Sequence, residues 1–315
     1  MKRILNLFLL LILSSCARIE LVETPIAVDT KVIPTNTPIP PTPLPTLTPT
    51  VSADLACDPF GEDYCITEGH LILQRPIQPP ANDLVDETYL YASTADGTRE
   101  PHHGVEFPNP SGTPVYAAAD GTVVFAGPDT QAIYSPWPNF YGNLVVLQHN
   151  DLFTLYAHLS KIDVTTGGVV GAGTKIGEVG RTGVAIGSHL HFEVRRGKVE
   201  DYFATQNPEL WLTPAKDENG DLFGTLAISV VDKDGKLVKY AEYTIRSKPG
   251  PSKKEVKSYY GITYSADMLE GEENVVLGEL PAGRYRIAIE RNGKVYERWV
   301  EVESGELTRV VFVVK

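Results

Sequence analysis

Residues 187–195 read Gly-Ser-His-Leu-His-Phe-Glu-Val-Arg, an alternation of polar and apolar side chains. In a β-strand, residues i and i+2 point to the same face, about 6.6 Å apart along the backbone. His189 and His191 therefore share a face, while Leu190 and Phe192 point the opposite way, into a core. Two imidazoles side by side can both ligate one metal, or one can ligate while its neighbour acts beside it.

Short apolar alternations recur on the N-terminal side of this stretch, separated by Gly, Pro and Asn turns. Val115–Ala117 and Thr122–Phe125 flank Ala119-Asp120-Gly121, and Leu144–His149 and Leu152–Leu159 flank Asn150-Asp151, a hairpin signal. With Leu190–Arg195 as a further strand and no long stretch of helical periodicity, residues 100–214 are expected to form an antiparallel β-sheet domain. After Asp217-Glu218-Asn219-Gly220 the pattern restarts. Strand candidates Thr225–Val231, Ala241–Ser247, Asn274–Glu279, Arg284–Arg291, Lys294–Glu301 and Thr308–Val314 predict a small β-sandwich over 222–315. The fold class is thus mainly β, in two units.

Two other segments bear on a metal. In His102-His103-Gly104-Val105-Glu106 an extended chain would hold His102 and Glu106 about 13 Å apart. They meet one ion only if the segment curls, which Gly104 permits. An imidazole and a carboxylate supply N and O ligands suited to zinc. The third segment, Tyr156-Ala157-His158, ends a hairpin strand, and Tyr156 is a candidate auxiliary donor or a plain strand tyrosine. The glycine-rich run Gly167–Gly187 lacks the G-x-x-x-x-G-K-[ST] pattern and reads as turns between strands.

Taken in order, H-H-G-V-E-F (102–107), G-T-P-V-Y-A-A-A-D-G-T-V-V-F-A-G (112–127), L-Y-A-H-L-S (155–160), G-E-V-G-R-T-G (177–183) and G-S-H-L-H-F-E-V-R resemble the LytM/lysostaphin-like zinc metallopeptidases. The resemblance runs through the whole 100–214 region and implies a compact antiparallel sheet with one zinc in a groove. Residue by residue, His102 matches the first ligand of the family's H-x-x-x-D motif, Glu106 falls on its Asp ligand, and His191 is the third ligand. His158 and His189 match the two non-ligand histidines beside the metal, either of which is placed to take a proton from water. His103 is intervening, and His149 and His70 have no carried-over role. Glu106 is one methylene longer than the family's Asp, so its backbone must sit farther back. Leu280-Pro281-Ala282-Gly283-Arg284-Tyr285 resembles a turn of carboxypeptidase-regulatory-like, transthyretin-like sandwich domains.

The N-terminus sets the compartment. Lys2 and Arg3 precede an apolar run from Ile4 to Leu13, long enough for a secretory core and too short to span a bilayer. Leu13-Ser14-Ser15-Cys16 resembles a lipoprotein cleavage site, which implies a signal peptide over 1–15 and lipidation of Cys16. Residues 16–52 are a linker whose Pro/Thr-rich part, Pro34–Thr50, favours an extended spacer of roughly 50 Å. In an exported protein, Cys57 and Cys65 either close a short disulfide loop or remain separate thiols. Residues 53–99 are expected to wrap onto the following domain.

A net charge of −12 over 315 residues argues against nucleic-acid binding. The expected activity is zinc-dependent hydrolysis of peptide bonds in peptidoglycan cross-links, by a lipid-anchored protein outside the cytoplasm. The alternative is an inactive module that binds wall peptides or regulates a partner hydrolase. The membrane is the expected partner through the lipid and the wall peptide is the expected substrate; no partner is legible for the C-terminal unit.

Overall fold

The computed structural model describes residues 57–95, 97–248, 257–264 and 272–315. The signal segment 1–15, Cys16 and the linker to residue 52 lie outside the described residues. After the short strand β1 (Cys65–Thr67), the first unit carries β2 (Val105–Pro108), β3 (Pro114–Tyr116), β4 (Gly121–Pro128), β5 (Asn143–His149) and β6 (Leu152–Ala157). It continues with β7 (Lys161–Ile162), β8 (Val169–Val170), β9 (Lys175–Glu178), β10 (His189–Arg196) and β11 (Thr205–Gln206).

Strand β10 organises this unit. One edge pairs antiparallel with β6; the other is shared by β2 along its first half and β11 along its second. The sheet continues from β6 through β5 and β4 to β8. Strand β3 does not form a hairpin with β4 but pairs with β9 in a small second sheet.

The main sheet is covered on both sides, which explains why β6 is buried along its whole length and loses polar alternation. Val145 and Leu147 of β5 and Leu190, Phe192 and Val194 of β10 join one cluster. Leu144 and Val146 of β5 join the opposite cluster, with Tyr141 and Ala157. By strand parity His189, His191, Glu193 and Arg195 project to this second side.

The C-terminal unit contains β12 (Gly224–Val231), β13 (Glu242–Ser247), β14 (Ser258–Ile262), β15 (Val275–Leu280), β16 (Gly283–Arg291), β17 (Lys294–Val302) and β18 (Leu307–Val313). Two four-stranded sheets, ordered β1-β18-β12-β15 and β14-β13-β16-β17, enclose a core that includes Ile228, Ile245, Ile287, Val300 and Phe312. Strands β12 and β18 are parallel neighbours.

The stretch before residue 100 differs from a simple wrap on the first unit. Its strand β1 pairs with β18 and so completes a sheet of the sandwich, close to a disulfide joining Cys57 and Cys65. Only farther on does the chain dock on the first unit, where Gln74 N donates to Ala118 O and Tyr116 N to Pro76 O. A three-residue strand has no pattern of its own; the distant β18 edge determines its pairing. The two units also meet at a short 3-10 helix, Pro208–Leu210, where Glu209 accepts a hydrogen bond from Gly278 N at 2.7 Å. Arg75 forms a buried ion pair with Glu279 of β15 at the same joint.

Candidate metal centre

Strand register assembles the centre. His191 sits directly opposite Glu106 of β2 on one side and Ala157 of β6 on the other. His158, the residue after β6, has φ 61°, the left-handed region that non-glycine residues seldom adopt. Gly104 provides the bend ahead of β2, and its lack of a side chain matters for a second reason. A Cβ there would lie 2.4 Å from Phe192 O and 3.0 Å from the His191 ring.

Three donor atoms converge. His102 Nε2 is 3.0 Å from Glu106 Oε1 and 3.2 Å from His191 Nδ1, and His191 Nδ1 is 3.1 Å from Glu106 Oε1. Tetrahedral zinc with bonds of ~2.0–2.1 Å separates its ligand atoms by about 3.3 Å, so this triangle has the size of one face of a zinc tetrahedron. The second Glu106 oxygen, Oε2, lies 2.7 Å from His189 Nε2, yet it is buried without an aligned hydrogen-bond donor. Two imidazoles and a carboxylate with an unsatisfied oxygen are a donor set that fits zinc. The longer Glu side chain reaches the histidines from a strand paired in register with β10.

Charge follows geometry. Burial opposes ionisation of Glu106, but the ring nitrogens of His102, His189 and His191 that face it outweigh burial and hold the carboxyl well below its ordinary range. Burial likewise opposes a charge on His191, and Glu106 and Glu193 reverse this, pushing it up to about 9. His158 is lowered to about 3 by burial and by the neighbouring His191 and His189. Its Nδ1 lies 2.8 Å from Thr182 O and donates to it. The neutral ring therefore keeps a lone pair on Nε2. The His158 ring centroid is 4.9 Å from that of His189 and 5.7 Å from that of His191.

The structure thus brings all five candidates, His102, Glu106, His158, His189 and His191, into one cluster. Residues 100–202 match the sequence profile of Peptidase family M23. That segment is a peptidase family M23 domain. Peptidoglycan DD-endopeptidase ShyA of Vibrio cholerae is 40% identical to this chain over 119 residues, which are 37% of this chain and 26% of that protein. The uncharacterized lipoprotein YgeR of Escherichia coli is 39% identical over 104 residues, 33% of this chain and 37% of YgeR. The chain therefore spans well under half the length of these curated relatives. Among solved structures, the catalytic domain of lysostaphin from Staphylococcus simulans has 30% identity, covering 46% of this chain and 89% of that one, with a TM-score of 0.31.

Within the M23 domain the remaining histidines stand apart from the cluster. His103 stacks on Tyr202, and His149 is held by Asp120 O and Thr154 Oγ1. Tyr156 is no donor to the site: opposite Phe192 in register, it faces the core, where its hydroxyl accepts from Ala118 N. Sequence reasoning missed Tyr89, which stacks on the His102 ring with centroids 4.1 Å apart and whose carbonyl lies 3.0 Å from His102 Nδ1. It also missed Glu193 and Arg195, although both share the strand parity of the two histidines.

Proposed function

We propose that this protein is a zinc-dependent endopeptidase that cuts peptide cross-links of peptidoglycan, outside the cytoplasm and tethered by a lipid on Cys16. The observation that carries the reading is the three-atom donor face formed by His102 Nε2, Glu106 Oε1 and His191 Nδ1, with neutral His158 beside it. The name of ShyA supports the substrate class, and that of YgeR supports the lipoprotein reading. No helix among the described residues is long and apolar enough to cross a membrane.

Zinc in this site supplies Lewis acidity and a water whose pKa falls toward ~7. His102, Glu106 and His191 would hold it. The chain's own residues do the rest. His158 accepts the proton of the attacking water at Nε2, because Nδ1–H is committed to Thr182 O and the ring is neutral. His189, whose Nε2 lies 2.7 Å from Glu106 Oε2, is the second histidine proposed to act on the substrate, by stabilising charge that develops on the scissile carbonyl. Two loops meet beside His158, where Val184 N donates to Phe140 O, and they leave Trp137, Val184 and Ile186 exposed as apolar walls for a substrate.

The test is incubation of purified protein with peptidoglycan, with and without a zinc chelator, alongside His191→Ala. New amine termini are expected from the untreated wild type alone. Wild-type protein that contains zinc yet releases none would point instead to a module that binds wall peptides.

A further inference from the structure

We infer that Glu193, held by Arg195 and Tyr141, is a positioning residue that keeps the His191 proton on Nε2 and so reserves Nδ1 as the metal-binding atom. The inference rests on the zinc-site reading above. Glu193, Arg195 and Tyr141 are each 0% exposed. One oxygen of Glu193, Oε1, accepts from His191 Nε2 at 3.0 Å and from Tyr141 OH at 2.6 Å. The other, Oε2, accepts from Arg195 Nε at 2.8 Å and Nη2 at 2.7 Å. Arg195 Nη2 also donates to Tyr141 OH at 2.7 Å, and Nη1 to Val199 O at 2.7 Å.

Burying a carboxylate and a guanidinium costs on the order of several kcal/mol for each ion. Among the described residues, the outside side chain that hydrogen-bonds to the side chains of this trio is His191; Asp129 reaches only the backbone N–H of Tyr141. An ionised carboxylate only accepts, so the imidazole nitrogen facing it must carry the hydrogen. Arg195 aims two N–H donors at Oε2, at 2.8 and 2.7 Å, which pairs the buried carboxyl with a guanidinium. A metal bound here takes the place of the Nδ1 proton, so the lone pair it uses lies on Nδ1, the atom 3.1 Å from Glu106 Oε1. His102 is fixed the opposite way: its Nδ1 faces Tyr89 O at 3.0 Å, leaving Nε2 toward the same point. The two rings are locked as opposite tautomers, one by a backbone carbonyl and one by a buried anion.

This arrangement predicts an unusual effect for the near-isosteric Glu193→Gln. Arg195 presents two donors to Oε2, so the Gln carbonyl must occupy that position and its NH2 must face Tyr141 and His191. His191 then has to accept at Nε2 and carry its proton on Nδ1, the ligand atom. Zinc affinity, measured by competition with a chelator, is expected to fall about 10–100-fold. Nitrogen NMR of the zinc-loaded wild type should show the His191 ring proton on Nε2 with slow solvent exchange. That measurement needs no variant and decides the matter if Glu193→Gln fails to fold. A folded Glu193→Gln protein with zinc affinity within about threefold of wild type, or a wild-type ring proton on Nδ1, overturns the inference. Wild-type protein with no affinity for zinc would instead overturn the metal-site reading itself.

Discussion

At Glu106 a single oxygen lies near both histidines of the proposed donor set, at 3.0 Å from His102 Nε2 and 3.1 Å from His191 Nδ1. Restoring the shorter family side chain with Glu106→Asp would withdraw that oxygen by about 1.5 Å. Strand β2 cannot follow it inward, because residues 105–108 are paired in register with β10. Zinc affinity should therefore drop about tenfold, equivalent to ~1.4 kcal/mol, in the same chelator competition; equal or tighter binding would show that the strand adapts. In the proposed reaction, His158 separates binding from chemistry. His158→Ala removes the proton acceptor without touching the donor triangle, so zinc content should stay at the wild-type level while kcat falls ~10²–10⁴-fold. His191→Ala should lose the metal as well. A His158→Ala enzyme working within a few-fold of wild type would move the base to another residue.

At the scale of elements, the site depends on how closely β2 lies on β10. Gly104→Ala would place a Cβ 2.4 Å from Phe192 O, a contact with backbone that no rotamer change relieves. Forcing β2 outward should destabilise the protein by about 1–3 kcal/mol and lower zinc affinity; an unchanged urea midpoint would show the contact to be soft. The same packing explains what could be read in the sequence. The shared face of His189 and His191 was legible because strand parity is local, and the bend at Gly104 because an extended chain cannot bring His102 to Glu106. Glu193 and Arg195 gave a usable signal: charged residues at the same parity as two metal-site histidines, in a strand buried on both faces. Tyr89 and Tyr141 gave none, since their contacts with His102 and Glu193 exist only once distant segments have docked. Strand β14 lay hidden for a related reason. Its exposed Tyr260 and Ile262 alternate with half-buried neighbours, and only pairing with β13 makes it part of the sandwich.

Over the whole molecule, the M23 domain and the sandwich are joined through a buried acid, and this gives the joint a pH dependence. Glu209, in the short 3-10 helix Pro208–Leu210, is pushed up to about 8 by burial and then by the nearby charge of Glu279. Its carboxyl lies against Gly278, where a Cβ would come within 2.5 Å of Oε2. The folded protein therefore retains a proton that the unfolded chain releases above its ordinary value of 4.5. Below 4.5 both states are protonated and the group has no effect. Between 4.5 and about 8 the folded state binds more protons than the unfolded state, so stability falls as pH rises, and above about 8 the loss is complete. Glu209→Gln keeps an oxygen to accept from Gly278 N and removes the titration. In thermal unfolding from about pH 5 to 8.5, with chelator present so that the metal site contributes equally to both proteins, the wild type should lose several degrees of Tm that the variant retains. Parallel curves would mean that Glu209 ionises in place and that the joint tolerates the charge. A steeper wild-type curve would mean that ionising Glu209 costs stability at the joint, which limited proteolysis at the 207–224 connection would detect as earlier cleavage at high pH in wild type than in Glu209→Gln.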